Sequence, residues 1–174
     1  MNNRSFSGRS VLCVMSLSLA FTPSTKTRVL AGSASAQKGA GVMARATGTF
    51  EVKLTPQAAE ANHDPSLGRM TIEKQFHGDL EGTSKGQMLT AGTDTKGSGV
   101  YVAVERFTGK LSGRSGSFSL HHTGIMTRGE PHLGITIVPD SGTGDLAGIA
   151  GTMKIIIGEG KHSYEFDYTI TPAP

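Results

Sequence analysis

The sequence predicts an all-β fold of about eight short antiparallel strands, and three observations support this. The 174 residues include 24 glycines without a collagen-like period. Stretches in which apolar and polar residues alternate recur along the chain, and clusters of Gly, Asp, Asn and Pro separate them. Helical periodicity is absent outside one apolar run near the start. A sandwich and a closed barrel both satisfy these observations.

The alternating stretches are the predicted strands. Several of them are apolar on one face and mixed on the other, as where Val100, Val102 and Val104 lie opposite Tyr101 and Glu105. A barrel with a partly polar lumen gives this pattern, and so does a sheet with one solvent-exposed face. The predicted strands cover residues 47–55, 70–76, 80–90, 100–107, 113–126, 132–138, 151–157 and 162–170.

Residues 1–45 are predicted to be a signal-peptide-like or disordered extension, and residues 46–174 the β domain. Arg4 and Arg9 precede the apolar run 11–21, and a small-x-small site ends at Ala36. These are the parts of a secretory signal cleaved after Ala36, which predicts a periplasmic or secreted protein. The run is too short to span a membrane, so no transmembrane segment is expected in the mature chain.

A cytoplasmic protein that starts at Met43 is the alternative. Lys26 and Arg28 lie between the apolar run and the cleavage site, where a signal peptide is usually short and uncharged.

Charge and cysteine content exclude several functions. The net charge is +3, but six basic and no acidic residues precede residue 46, which leaves the β domain mildly acidic. Nucleic-acid binding is therefore not expected. The single cysteine, Cys13, lies in the extension, so the domain has no disulfide or thiolate zinc site. No His-x-His pair, nucleotide loop or nucleophile motif occurs, and we predict no metal and no cofactor.

Longer motifs resemble a known family. They are Gly-Asp-Leu-Glu-Gly at 78–82, Tyr-Val-Ala-Val-Glu-Arg-Phe at 101–107, Leu-Ser-Gly-Arg-Ser-Gly-Ser-Phe at 111–118 with His122, the Gly-rich run 139–151, and 162–168. Together they resemble the bacterial family catalogued as domain of unknown function 3224. The Gly-rich run is also similar to a hairpin of allene oxide cyclases and dirigent proteins. This resemblance implies a single eight-stranded antiparallel β-barrel with an internal cavity and a homo-oligomer, a dimer or trimer, but it implies no activity.

Glu105, His122 and Tyr101 are the candidate catalytic residues. Glu105 and His122 lie on strands that a short turn should pair, and Tyr101 shares the face of Glu105. A Glu–His pair can transfer protons, and a tyrosine hydroxyl can stabilise an oxyanion. The alternative is that Glu105 only pairs with Arg106, Arg114 or the backbone. His121 must point away from the site, since consecutive strand residues face opposite sides.

Three functions remain open. The first is a barrel that binds a small apolar molecule in its lumen, lined by Phe107, Arg114, Phe118, Met126, Tyr164 and Tyr168. The second is a cofactor-independent cyclase or isomerase that uses the Glu–His pair. The third is a structural or interaction module with a packed barrel. Arg114 is an anion clamp in the first two, or forms a salt bridge to Glu81 or Glu105.

Overall fold

A computed structural model describes residues 41–59, 62 and 64–171. This part of the chain is all-β and contains no helix, and therefore no helix that could cross a membrane. The predicted signal segment, its cleavage site and Cys13 lie outside the described residues. The strands are β1 (Ala44–Pro56), β2 (Leu67–Gly78), β3 (Leu80–Gly92), β4 (Gly99–Leu111), β5 (Arg114–Thr127), β6 (Glu130–Ile137), β7 (Thr143–Gly144), β8 (Ile149–Gly158) and β9 (Lys161–Ile170).

The eight long strands close into one antiparallel barrel. Their order is β4-β3-β2-β1-β9-β8-β6-β5, and β5 pairs back to β4 along its whole length. This confirms the eight-stranded barrel and excludes the sandwich. The pairing of β6 with β8 is the shortest in the wall, with one registered pair, Thr136 and Thr152.

Aromatic rings fill one end of the barrel, which we call the closed end. Phe107 packs on Phe118 with ring centroids 5.0 Å apart, and Phe118 stacks on Phe166 at 5.7 Å. Phe76 meets both Phe107 and Tyr164 edge-on. All five side chains are buried, because alternation along each strand turns them into the lumen.

The Gly-rich run covers the closed end. Its residues 143–144 form β7, which was not predicted, and pair with β5, while Leu146 is fully buried. The hairpin that follows the Gly-rich run begins at Ile149, where β8 leads into β9. Gly148, near the end of this run, adopts a backbone conformation that favours glycine. It has a φ of +75°, and a Cβ there would collide with the carbonyl oxygen of Thr171.

Strand β4 turns its more polar face inward. Ala103, Glu105 and Phe107 are buried in the lumen, whereas Val102 and Val104 are about half exposed on the outside. The contacts of the inward face favour this orientation, although it leaves the valines exposed. Phe107 joins the aromatic core, and Glu105 is paired with Lys74 inside the barrel.

Candidate functional site

Glu105 is the centre of a buried polar cluster in the middle of the barrel. Its carboxylate is 1% exposed and accepts three hydrogen bonds. Lys74 Nζ is 2.6 Å and His122 Nε2 2.9 Å from Oε1, and Ser84 Oγ donates to Oε2 over 2.7 Å. Four adjacent strands, β2 to β5, each contribute one member. We call these four residues the polar cluster.

The carboxyl group of Glu105 is ionised. Burial by itself would raise its pKa, but the hydrogen bond from His122 and the charge and hydrogen bond of Lys74 outweigh burial and lower the pKa to about 2. These three donors hold the carboxylate in its ionised form. Glu105 therefore orients its neighbours, and is not available to take a proton from a ligand at neutral pH.

His122 is held in one tautomer by this carboxylate. Because ionised Glu105 can only accept, Nε2 of His122 carries the hydrogen of the bond between them. In the neutral ring, Nδ1 then has a free lone pair, and it makes no hydrogen bond within the described chain. Its neighbour His121 faces outward, as predicted, and bonds to Thr136. The ionised carboxylate thus fixes the hydrogen-bonding role of each ring nitrogen of His122.

Lys74 and Ser84 were not predicted as site residues. Lys74 lies on the inward face of β2 between Ile72 and Phe76, and its ammonium lies 5.2 Å from the ring centroid of Phe50. A lysine on an otherwise apolar strand face was the available signal, since such a charge must find a partner inside. Ser84 gave no comparable signal.

Tyr101 lies on the same inward face as Glu105, four residues further from the closed end, with Ala103 between them on that face. Its ring lies over Gly124 of β5, where a Cβ would overlap the ring. Burial and, less strongly, the negative charge of Glu105 raise the pKa of Tyr101. Its hydroxyl makes no hydrogen bond within the described residues and remains a neutral donor.

Beyond Tyr101, apolar side chains at the second end of the barrel are exposed to solvent; we call this end the mouth. Four side chains share the inward alternation of their strands, yet are exposed by 40 to 70%. They belong to four different strands, and they line the part of the rim that runs from β1 through β9, β8 and β6 to β5. These rim residues are Leu54, Met126, Leu133 and Ile157.

The predicted ligand-lining residues divide into three groups: four aromatic residues, Met126 and Arg114. Phe107, Phe118, Tyr164 and Tyr168 fill the closed end with rings in mutual contact, so they line no free space there. Met126 is part of the mouth.

Arg114 is exposed at the first position of β5, at the closed end, and does not share a site with His122 or Glu105. It makes no ion pair to Glu81 or Glu105 in the described structure. The suggested pairing of Glu105 with Arg106 or Arg114 is also wrong, because Lys74 lies within the barrel and occupies that place.

The fold and the site define a class: a closed eight-stranded antiparallel β-barrel with a buried Lys–Glu–His cluster beneath an apolar mouth. Residues 46–168 match the model of the family described as protein of unknown function DUF3224, and the chain belongs to that family.

Among solved structures, the chain is similar to a protein of unknown function from the DUF3224 family of Shewanella oneidensis MR-1. The identity is 51% and the TM-score 0.71, over 76% of this chain and all of that one. No curated protein matches. The similarity to allene oxide cyclases and dirigent proteins stays a prediction.

Proposed function

We propose that the barrel binds a small, mainly apolar molecule at its mouth, with a polar group of that molecule directed to His122 and Tyr101. The observation that carries this proposal is the position of the rim residues above the polar cluster. Exposure of aliphatic side chains to water on the inward side of four strands costs free energy, which a bound molecule that covers them would recover. An apolar wall with a few convergent polar groups is the usual composition of a small-molecule site.

The polar cluster supports this assignment because it is not needed to close the barrel. A buried ion pair contributes little net stability, and apolar residues of similar size often replace it without loss. The closed end shows that this chain fills a lumen with aromatic rings where only packing matters. An ionised carboxylate that fixes a histidine, with a tyrosine hydroxyl nearby that makes no hydrogen bond within the described residues, suits recognition of a carbonyl or hydroxyl group.

Titration with Nile red, an apolar fluorescent ketone, tests the site. Leu133→Glu places a charge at the mouth and is expected to weaken binding by about tenfold or more. Ile156→Glu is the matched control, since Ile156 is 47% exposed on β8 outside the mouth and should leave the affinity unchanged. Val102→Glu is a second control, on the exposed outer face of β4. Equal affinities of all four proteins would refute the proposal.

A cofactor-independent isomerase is the second candidate, and the geometry of His122 favours it. The Nε2–Oε1 distance of 2.9 Å and the ionised state of Glu105 present Nδ1 as a base. Tyr101 would donate to the oxygen of an enolate formed when His122 removes an α-proton from a ketone. Glu105 then acts as a positioning residue.

Exchange of the α-protons of cyclohexanone in heavy water, followed by NMR, tests this second candidate. The native protein should accelerate exchange above the buffer rate, His122→Gln should abolish the acceleration, and Tyr101→Phe should reduce it by about tenfold or more. If the native protein is no faster than His122→Gln while Nile red still binds, the barrel is a binding protein and not an isomerase.

We also infer that the barrel is exported and released after Ala36. The basic residues, apolar run and small-x-small site of the sequence support this. Mass spectrometry of the protein from its own host should give an N-terminus at Gln37. A start at Met43 would instead establish the cytoplasmic alternative.

A further inference from the structure

The outer wall of the barrel carries an apolar surface that the mouth and the polar cluster do not use. Six aliphatic side chains on four adjacent strands, β2 to β5, point outward and are 40 to 57% exposed. We call them the valine face, after the three valines of β4 at its centre. They are Leu67, Leu89, Val100, Val102, Val104 and Ile125.

The strand register makes this surface continuous. Leu67 is paired with Ala91, Ala91 with Val100, and Val100 with Ile125, which forms one apolar row across four strands. In the next row Leu89 is paired with Val102. Directly paired strand residues have Cβ atoms about 5 Å apart, so each of these pairs brings neighbouring apolar side chains together.

The centre of the valine face, on β3, β4 and β5, holds no Asp, Glu, Lys or Arg, and the charged Arg69 of β2, which is paired with Leu89, lies at its margin. On the opposite wall, Arg45 of β1 pairs with Glu165 and Asp167 of β9. The outward neighbours of the valine face on β3 and β5 include the uncharged Gln87 and Thr123. Depletion of charge at the centre of an apolar patch is the compositional mark of an interface core.

We propose that the valine face is the contact surface between two copies of this chain. The patch exposes on the order of 500 Å² of apolar surface, at the upper end of what monomers tolerate. A stable interface buries roughly 800 Å² per partner, so the polar margin of the patch takes part in the proposed contact. A two-fold contact buries the same patch on both copies, so the centre of one valine face, which holds no Asp, Glu, Lys or Arg, meets the same centre on the other copy.

The charges at the margin favour one orientation of the two copies. Arg106 follows Val104 outward along β4, and Asp94 lies in the exposed loop 93–98 before β4. If β4 crosses its copy antiparallel at Val102, Arg106 of each copy approaches the loop that carries Asp94. The parallel arrangement would instead bring the two Arg106 side chains together, which like charges disfavour.

Sedimentation velocity over a concentration series tests the interface. The native protein should sediment as a dimer, and Val102→Glu as a monomer with an unchanged far-ultraviolet circular dichroism spectrum. Ile156→Glu is the matched control, since Val102 and Ile156 are both 47% exposed, and it should remain dimeric. A monomeric native protein, or a Val102→Glu protein that stays dimeric, would overturn the proposal. A native trimer would refute the two-fold contact.

Two further variants cover the case in which Val102→Glu does not fold. Leu89→Gln and Val104→Thr keep uncharged side chains of similar size and should each weaken the dimer by about tenfold. Neither should alter Nile red binding at the mouth, so failure of the interface and failure of the binding site are distinguishable.

Discussion

Lys74 Nζ lies 2.6 Å from Glu105 Oε1, and neither side chain is more than 5% exposed. The two charges come from β2 and β4, with Ser84 of β3 closing the gap between them. Such a pair has lost its hydration and depends on mutual attraction and on the additional bonds from Ser84 and His122. Each side chain is therefore destabilising when its partner is removed, because it remains as an unpaired buried charge.

Replacing Lys74 alone should destabilise the barrel strongly. Lys74→Met leaves the Glu105 charge buried without its cation, and we expect a loss of about 3–5 kcal/mol in the free energy of unfolding by urea. Lys85→Met is the control, because Lys85 is 81% exposed in a 4.0 Å pair with Glu73, and should change stability by less than about 0.5 kcal/mol. Adding Glu105→Leu to Lys74→Met should recover part of the loss. A single variant as stable as Lys85→Met would show that the pair is solvated.

Stability should fall at acid pH through Glu105. Its pKa is lowered in the folded protein to about 2 from 4.5, so the unfolded chain binds the proton more tightly. This contribution is complete above about pH 4.5, is lost as the pH falls toward about 2, and amounts to about 3 kcal/mol. The measurement is urea unfolding from neutral to acid pH of the native protein and of Glu105→Gln. The difference between them should shrink within this window, and a constant difference would contradict the assigned pKa.

Gly124 should not tolerate a side chain. A Cβ at this position overlaps the Tyr101 ring, so Gly124→Ala must displace it, at a cost of about 1–3 kcal/mol in unfolding free energy. Gly134→Ala on the adjacent strand β6 is the matched control, as a Cβ there meets nothing within 4 Å. We expect that variant to be near neutral. Near-ultraviolet circular dichroism should report the moved ring in Gly124→Ala only, and identical spectra would place Tyr101 elsewhere.

The hydroxyl of Tyr164 should stabilise the turn between β2 and β3. The backbone N–H of Leu80 donates to it over 2.8 Å at a fully buried position. Tyr164→Phe leaves that N–H without a partner and should cost about 1–3 kcal/mol, measured by urea unfolding. Tyr168→Phe removes a weaker 3.4 Å contact to Ser112 and should cost less. The reverse order would mean that water satisfies Leu80 in the variant.

The strand alternation predicted the fold well because it is a local property of the sequence. All eight predicted strands occur, and Tyr101 and Glu105 share a face as expected. The two-residue strand β7 could not be predicted, since its pairing with Ser117 of β5 depends on where the barrel ends.

The composition of the site was harder to predict than the fold. Glu105 and His122 meet because adjacent strands of a hairpin pair in a fixed register. Lys74 reaches Glu105 only after β3 is inserted between their strands, a contact between residues 31 positions apart. Which face of β4 turns inward also depends on this contact, and by hydrophobicity alone its valines would have been placed inside.

The pairing of β1 with β9 brings Ala44 beside Tyr168, at the closed end of the barrel. The first and last strands are thus hydrogen-bonded neighbours, although 124 positions separate these residues in the sequence. A short peptide could join residues 44 and 170, and a new start could be made in the exposed loop 93–98. Such a circular permutant would keep every strand pairing, and its new termini would flank β3 and β4, so a fused reporter would emerge beside the mouth.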